Sequence, residues 1–253
     1  MALALALPSP GSPATGEVHV WQLHVPQLAT HLGECEMLLD AAERDRADRF
    51  YFEPDRQRHV LAHGVLRHLL GGALGSAGAA LVFAVGAQGK PALATAAPID
   101  LRFNLSHGGD WLYIALARSA ELGIDVERQR TGLADELLPG LAFTAREKAW
   151  ITSQDGAART TAFFRAWSRK EAAIKAWGTG LSLALDQFDV TPSGAGPCPL
   201  RPPASLAANG GTWTLQDLPA PPGHCAALVS EGDSPALAWF GHAPAETCAG
   251  SGK

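Results

Sequence analysis

Phe163-Phe164-Arg165-Ala166-Trp167-Ser168-Arg169-Lys170-Glu171-Ala172-Ala173-Ile174-Lys175-Ala176-Trp177 is the stretch around which the chain is organised. At about 100° per residue, Phe163, Trp167 and Ile174 share one face, with Phe164 and Trp177 at its edges, so the run reads as a half-buried helix ending at Gly178. Glu171 falls inside the apolar arc. A carboxylate taken out of water without a partner costs several kcal/mol, so Glu171 needs a cation or a metal ion. Lys175 lies one turn on, about 40° further round. Two readings stand at this point: a structural Glu–Lys pair at i,i+4, or one leg of a ligand site.

A second stretch bears on the choice. In Leu122-Gly123-Ile124-Asp125-Val126-Glu127, period-two alternation sends Leu122, Ile124 and Val126 to a core and Gly123, Asp125 and Glu127 to the other face. The two carboxylates then stand about 7 Å apart along a strand, next to a glycine expected to leave room for a ligand. Mg²⁺ favours a few carboxylates together with phosphate oxygens and water. If the Glu171 helix crosses this face, three carboxylates converge; otherwise the strand has a solvated acidic edge. Candidate phosphate binders are His107 in a strand-end Ser-His-Gly-Gly turn, Lys90 in the turn from Gly86 to Pro91, and Arg46 and Arg58 on the first helices. Each also has a plain reading. A turn histidine or lysine is commonly solvated, and Glu43, Asp45, Asp48 and Asp55 can neutralise the arginines locally. His59 and His63 sit at i,i+4 without an acidic companion, which is poor support for a metal site. Ser106 and His107 cannot be a nucleophile and its base, because neighbours on a strand face opposite ways.

The 253 residues are 47% apolar and 18% charged with a formal net charge of -5, the balance of a globular protein with a substantial core. That charge argues against general nucleic-acid binding and against a metal-dependent nuclease, both of which need an excess of Lys and Arg. Cys35, Cys198, Cys225 and Cys248 form no CxxC pair, so neither a zinc site nor a disulfide framework is expected and a reducing cytoplasm is the default. Met1 to Gly16 lacks a basic n-region and reads as a flexible leader. No apolar run is long enough to span a bilayer.

Periodicity and turn residues predict a strand over Glu17 to Val25 and helical structure over Gln27 to Phe52. A helix capped by Asp55 then runs to a stop at Gly71-Gly72. Strands follow at Leu81 to Val85, Leu101 to His107, Trp111 to Ala117 and Leu122 to Glu127. Short helices are expected over Ala134 to Leu141 and Thr144 to Ile151, where Thr144 and Glu147 have capping-box spacing. After the Glu171 helix, candidate strands lie at Phe188 to Val190, Thr212 to Gln216, Ala226 to Val229 and Leu237 to Phe240. The fold class is α/β (α+β), in two halves, 17–117 and 118–253, with no evident internal sequence repeat.

Gly89-Lys90-Pro91, Phe103-Asn104-Leu105-Ser106-His107, Gly123-Ile124-Asp125-Val126-Glu127, and Trp167 to Lys175 followed by Gly180-Leu181-Ser182, in this order and spacing, resemble the 4′-phosphopantetheinyl transferase superfamily. The likeness is to its longer, monomeric type, which acts on carrier proteins of polyketide and nonribosomal peptide synthesis. The resemblance implies two similar halves forming a pseudo-dimer with the active site in the cleft between them. It implies that Asp125, Glu127 and Glu171 bind Mg²⁺, which bridges the pyrophosphate of coenzyme A. Lys175 would contact phosphate, with Ser106 and His107 on the other side, and Lys90, Pro91, Arg58 and Arg46 would receive the 3′-phosphoadenosine end. The implied reaction moves 4′-phosphopantetheine to a serine of an apo acyl or peptidyl carrier protein and releases adenosine 3′,5′-bisphosphate, with Glu171 taking the serine proton and Lys175 and His107 offsetting charge on the leaving side. A further basic position that the family often has upstream of Arg46 falls here on Glu43 or Arg44. The resemblance points the carrier to Arg128 through Phe143, using Leu133, Leu137, Leu138, Arg128 and Arg130, a stretch that reads equally as an amphipathic helix on its own core. A non-catalytic coenzyme A or carrier-binding module is the alternative, and turnover separates the two.

Overall fold

Apolar alternation along the strands decides how the molecule is layered. In the computed structural model, residues 7–241 are described, except 87, 95–98, 139, 141–142, 195 and 208–210. The first half comprises β1 (Glu17–His24), short helices α1 (Val25–Leu28), α2 (Leu32–Leu38) and α3 (Ala41–Ala47), the long α4 (Glu53–Leu74), a small hairpin β2 (Phe83–Val85) and β3 (Pro91–Leu93), and the hairpin β4 (Leu101–Gly108) and β5 (Trp111–Arg118). The second comprises β6 (Leu122–Arg128), α5 (Leu133–Leu137), α6 (Ala145–Thr152), the long α7 (Gly156–Trp177), β7 (Cys198–Leu200), α8 (Ala204–Ala207), β8 (Trp213–Leu218) and β9 (His224–Glu231). A last strand, β10 (Ala236–Gly241), returns to pair in parallel with β1. One sheet therefore has the order β10-β1-β5-β4 and the other β6-β9-β8-β7, and the first sheet draws on both ends of the chain rather than on 17–117 alone.

Val18, Val20, Tyr113 and Ala115 face Leu122, Ile124, Val126 and Leu228, forming a core between the two sheets. Trp21, Leu23, Phe103 and Ile114 face the other way, onto Val60, Val65, Leu66 and Leu69 of α4. Across the second sheet, Leu215, Ala227 and Val229 pack against Ala172, Ala173 and Ile174 of α7. The layers run helix, sheet, sheet, helix, so both sheets are covered on both faces.

Several local expectations change. Helix α4 has Phe52 at its N-cap, Pro54 in its first turn and Asp55 inside that turn, and it continues past Gly71-Gly72 to a left-handed stop at Gly75. Gly71 serves close packing instead: a Cβ there would come 2.7 Å from the Ser76 carbonyl oxygen. No strand forms at Phe188 to Val190, because the carbonyls of Phe188 and Val190 accept from Lys170 and Arg169. Leader residues from Leu7 on are not loose. Leu7 packs on the first core, and the Pro8 carbonyl accepts from Trp21 Nε1 at 3.1 Å. The expected leader over 1–6, part of the helix to Leu141, and the tail beyond 241 lie outside the described residues. Among the described residues, no helix is long and apolar enough to cross a membrane.

Candidate active site

Gly123 decides where α7 sits. A Cβ at this position would stand 2.1 Å from the Ala172 carbonyl oxygen and 2.3 Å from the Ala176 nitrogen, so the helix rides directly on β6. The room expected there for a ligand is taken by helix backbone. Asp125 and Glu127, two and four residues on, then face the same helix at Glu171, Lys175 and Trp167. A second glycine brings the other half in. A Cβ at Gly108 would meet the Val126 carbonyl oxygen at 2.4 Å, and Asn104 Oδ1 accepts from the Ile124 N–H at 2.9 Å. Strand β4 is thereby laced to β6, and Ser106 reaches Asp125.

Asp125 is 3% exposed. Its Oδ1 accepts from Ser106 Oγ at 2.8 Å and from Lys175 Nζ at 2.6 Å, and Lys175 also donates to Ser106 Oγ at 2.9 Å. Asp125 Oδ2 is buried without a hydrogen-bond partner. Trp167 Nε1 donates to Glu127 Oε1 at 3.1 Å. Burial first, then the charge of Asp125, pushes the Glu127 carboxyl up to about 7, against the pull of Trp167 and Lys175. Burial and Asp125 likewise raise Glu171, with Lys175 opposing. Lys175 therefore pairs with Asp125, and among the described residues no ion pair joins it to Glu171.

Three carboxylates with one ammonium leave an excess of negative charge around a bare buried oxygen, the chemistry that a hard divalent cation satisfies. Among the described residues, no three Asp, Glu, His or Cys side chains are arranged to hold a metal ion. Lys175 is the cation on Asp125 Oδ1, beside the unpartnered Oδ2.

The remaining candidates divide into groups. His107 is exposed on the face of β4 opposite Ser106. Its imidazole is held below the usual histidine range by partial desolvation, then by the charges of Arg58 and Lys175. Arg58 is paired with Asp55 at 2.8 Å. Lys90 is not a solvated turn lysine. Its ammonium bonds Glu121 at 2.6 Å and the carbonyls of Leu122 and Ala176 at 3.1 and 3.2 Å, tying the β2–β3 hairpin to the end of α7. Lys90 and Pro91 border a cavity of about 820 Å³ with Arg102, Glu121, Trp177 and Trp213, which the three carboxylates do not line. Arg46 is exposed on α3. Glu43 does not neutralise it: the carboxylate caps α3 and receives His63 and the buried Arg67. Arg44 is exposed, its guanidinium near the Met37 carbonyl.

Three contributors escape sequence reasoning. Trp167, read as core, orients Glu127; its place one helical turn before Glu171 was the available signal. Asn104 joins the sheets, and its signal was its place on the same face of β4 as Ser106, two residues on. Glu121, which joins Lys90 and Arg102, carried none.

The sequence profile of the 4′-phosphopantetheinyl transferase superfamily matches residues 121–229, and that of the 4′-phosphopantetheinyl transferase N-terminal region matches residues 25–119. The two profiles meet where β5 passes to β6. The 4′-phosphopantetheinyl transferase HetI of Nostoc sp. is 32% identical over 229 residues, covering 90% of each chain. A 4′-phosphopantetheinyl transferase of Bacillus subtilis is 33% identical over 64% of this chain and 75% of its own, and Sfp of Bacillus subtilis strain 168 is 31% identical over 60% and 66%. A match to both halves, with a relative aligned along nine tenths of the chain, makes this protein an enzyme of the 4′-phosphopantetheinyl transferase superfamily, of its longer two-domain type.

Proposed function

We propose that the protein transfers the 4′-phosphopantetheine group of coenzyme A to a serine of an apo acyl or peptidyl carrier protein of polyketide or nonribosomal peptide synthesis. The reaction depends on Mg²⁺ and releases adenosine 3′,5′-bisphosphate, and the protein works as a cytoplasmic monomer. The observation that carries this reading is the buried Asp125, with one oxygen unpartnered, beside two carboxylates whose proton affinity is raised. Asp125, Glu127 and Glu171 would hold Mg²⁺, which supplies positive charge to the pyrophosphate and fixes its orientation.

The chain's own groups supply the rest. Glu171 takes the proton of the attacking serine. Lys175, once off Asp125, and His107 donate hydrogen bonds to phosphate oxygens and offset charge that grows on the leaving side. His107, its pKa lowered in the free protein by burial and then by Arg58 and Lys175, offers a ring N–H. Arg58 and the exposed Arg46 meet the 3′-phosphoadenosine end, and Pro91 walls it. Lys90 joins them only by releasing Glu121. On the carrier side, Arg128 and Arg130 are exposed and suit an acidic partner. Of the three leucines, Leu137 is 38% exposed and available, whereas Leu138 is buried and Leu133 packs on the α7 core.

The test is incubation of the purified chain with coenzyme A, Mg²⁺ and a panel of apo-carriers, read by intact-protein mass. Gain of one phosphopantetheine group by a carrier, abolished by EDTA, is the expected result. Binding of coenzyme A or a carrier with no mass gain across the panel points to the non-catalytic module instead.

A further inference from the structure

Arg67 of α4 and Lys170 of α7 are both fully buried cations, and each stands eight residues before the left-handed glycine that ends its helix, Gly75 or Gly178. Their surroundings match. Arg67 is held by Glu43, the closing glutamate of the Asp40 capping box, and by the carbonyls of Gly78 and Leu81. Lys170 is held by Glu147, the closing glutamate of the Thr144 capping box, and by the carbonyls of Leu185 and Phe188. Counted from the same glycines, His68 takes the place of Glu171, and Gly72 takes the place of Lys175. Trp21 of β1 faces α4 as Asp125 of β6 faces α7. The first half thus repeats the catalytic position without its carboxylates or its ammonium.

Leader residues occupy that position. Leu7 packs its side chain on the first core. The Pro8 carbonyl accepts from Trp21 Nε1 at 3.1 Å. Ser9 lies against Gly72, where a Cβ would come 1.8 Å from Ser9 Oγ and 2.9 Å from Ser9 Cβ.

We propose that the first half holds a second, non-catalytic pocket that binds an extended peptide, and that the chain fills it in cis with Leu7-Pro8-Ser9. The recognition is that of a peptide site: a backbone carbonyl meets an indole N–H donor, one apolar side chain enters the core, and a floor without Cβ admits the next residue. The inference does not depend on the transfer chemistry.

The test uses the chain lacking residues 1–12 and an acetylated peptide of residues 6–13. Truncation should lower the melting temperature by several degrees. The peptide should restore it saturably, and a peptide carrying Leu7→Asp should not. An unchanged melting temperature on truncation overturns the proposal, as does a folded truncated chain that the peptide fails to stabilise. If truncation prevents folding, the full chain carries the test. Alanine is a better helix former than glycine, so over an open floor Gly72→Ala raises the melting temperature. With Ser9 seated it lowers it, and the sign reverses in a Ser9→Gly background. A rise in the full chain overturns the proposal.

Discussion

Lys175→Met should make the free protein bind a divalent cation more tightly, although it removes a residue assigned to phosphate. The Lys175 ammonium lies 2.6 Å from Asp125 Oδ1 and 2.9 Å from Ser106 Oγ. Hydrogen bonds to charged groups contribute about 1.5–3 kcal/mol each. The lysine side chain is 27% exposed, so water returns part of that when it leaves. A net loss of about 1.5–3 kcal/mol on displacement corresponds to roughly 10- to 100-fold in affinity. The assay is Mn²⁺ titration of the protein alone, followed by electron paramagnetic resonance, at about pH 8.5. That pH matters because Glu127 is already pushed up to about 7, and loss of Lys175 removes a charge that lowers it. Arg58→Met is the control: it deletes a positive charge that acts on His107 without touching Asp125. The expected result is a gain of about tenfold or more for Lys175→Met and no more than about twofold for the control. Equal gains in both would reduce the effect to net charge, and no gain for Lys175→Met would refute displacement.

Gly123→Ala forces a Cβ into the backbone of α7 at 2.1 Å, so it should cost about 3 kcal/mol or more in urea unfolding. A loss near zero would mean that α7 does not ride on β6. Trp167→Phe keeps most of the ring and removes the N–H on Glu127. Mn²⁺ affinity and kcat/KM should fall about tenfold or more with little change in Tm; a large Tm loss with intact affinity would assign Trp167 to packing alone. His59 is 8% exposed, and burial, with His63 beside it, lowers its pKa from 6.5 to about 4. The unfolded chain takes up that proton first, so stability is full above pH 6.5 and falls by about 3 kcal/mol as pH drops toward 4. Urea midpoints across this range should show the fall, and His59→Asn should flatten it; stability that rises on acidification contradicts the assignment.

The alternation of Leu122 to Glu127 and the helical arc around Glu171 were readable because both follow simple periods, and the structure faces them as those periods require. What the glycines do was not readable. Gly123, Gly108 and Gly71 lie in ordinary strand or helix conformation, and their purpose is close approach by segments distant in sequence. Lys90 misled for a related reason, since its partners Glu121, Leu122 and Ala176 lie 31 to 86 residues away. The likeness of the two halves was legible only through the family resemblance, with no internal repeat to show it, because it resides in a buried arginine matched to a buried lysine, each with a capping-box glutamate, rather than in identical residues.

Glu171 stands at the centre of the account, as metal ligand and as base for the carrier serine. The most direct measurement is single-turnover transfer from coenzyme A to an apo-carrier that the wild-type protein modifies, followed by intact-protein mass for wild type and Glu171→Gln, with thermal melting to show that both are folded. The amide is isosteric but neither charged nor basic, and each lost role is worth about 10²-fold or more. Glu171→Gln should melt like wild type and transfer at least about 10³-fold more slowly. A folded Glu171→Gln protein that modifies the carrier at the wild-type rate would contradict the account.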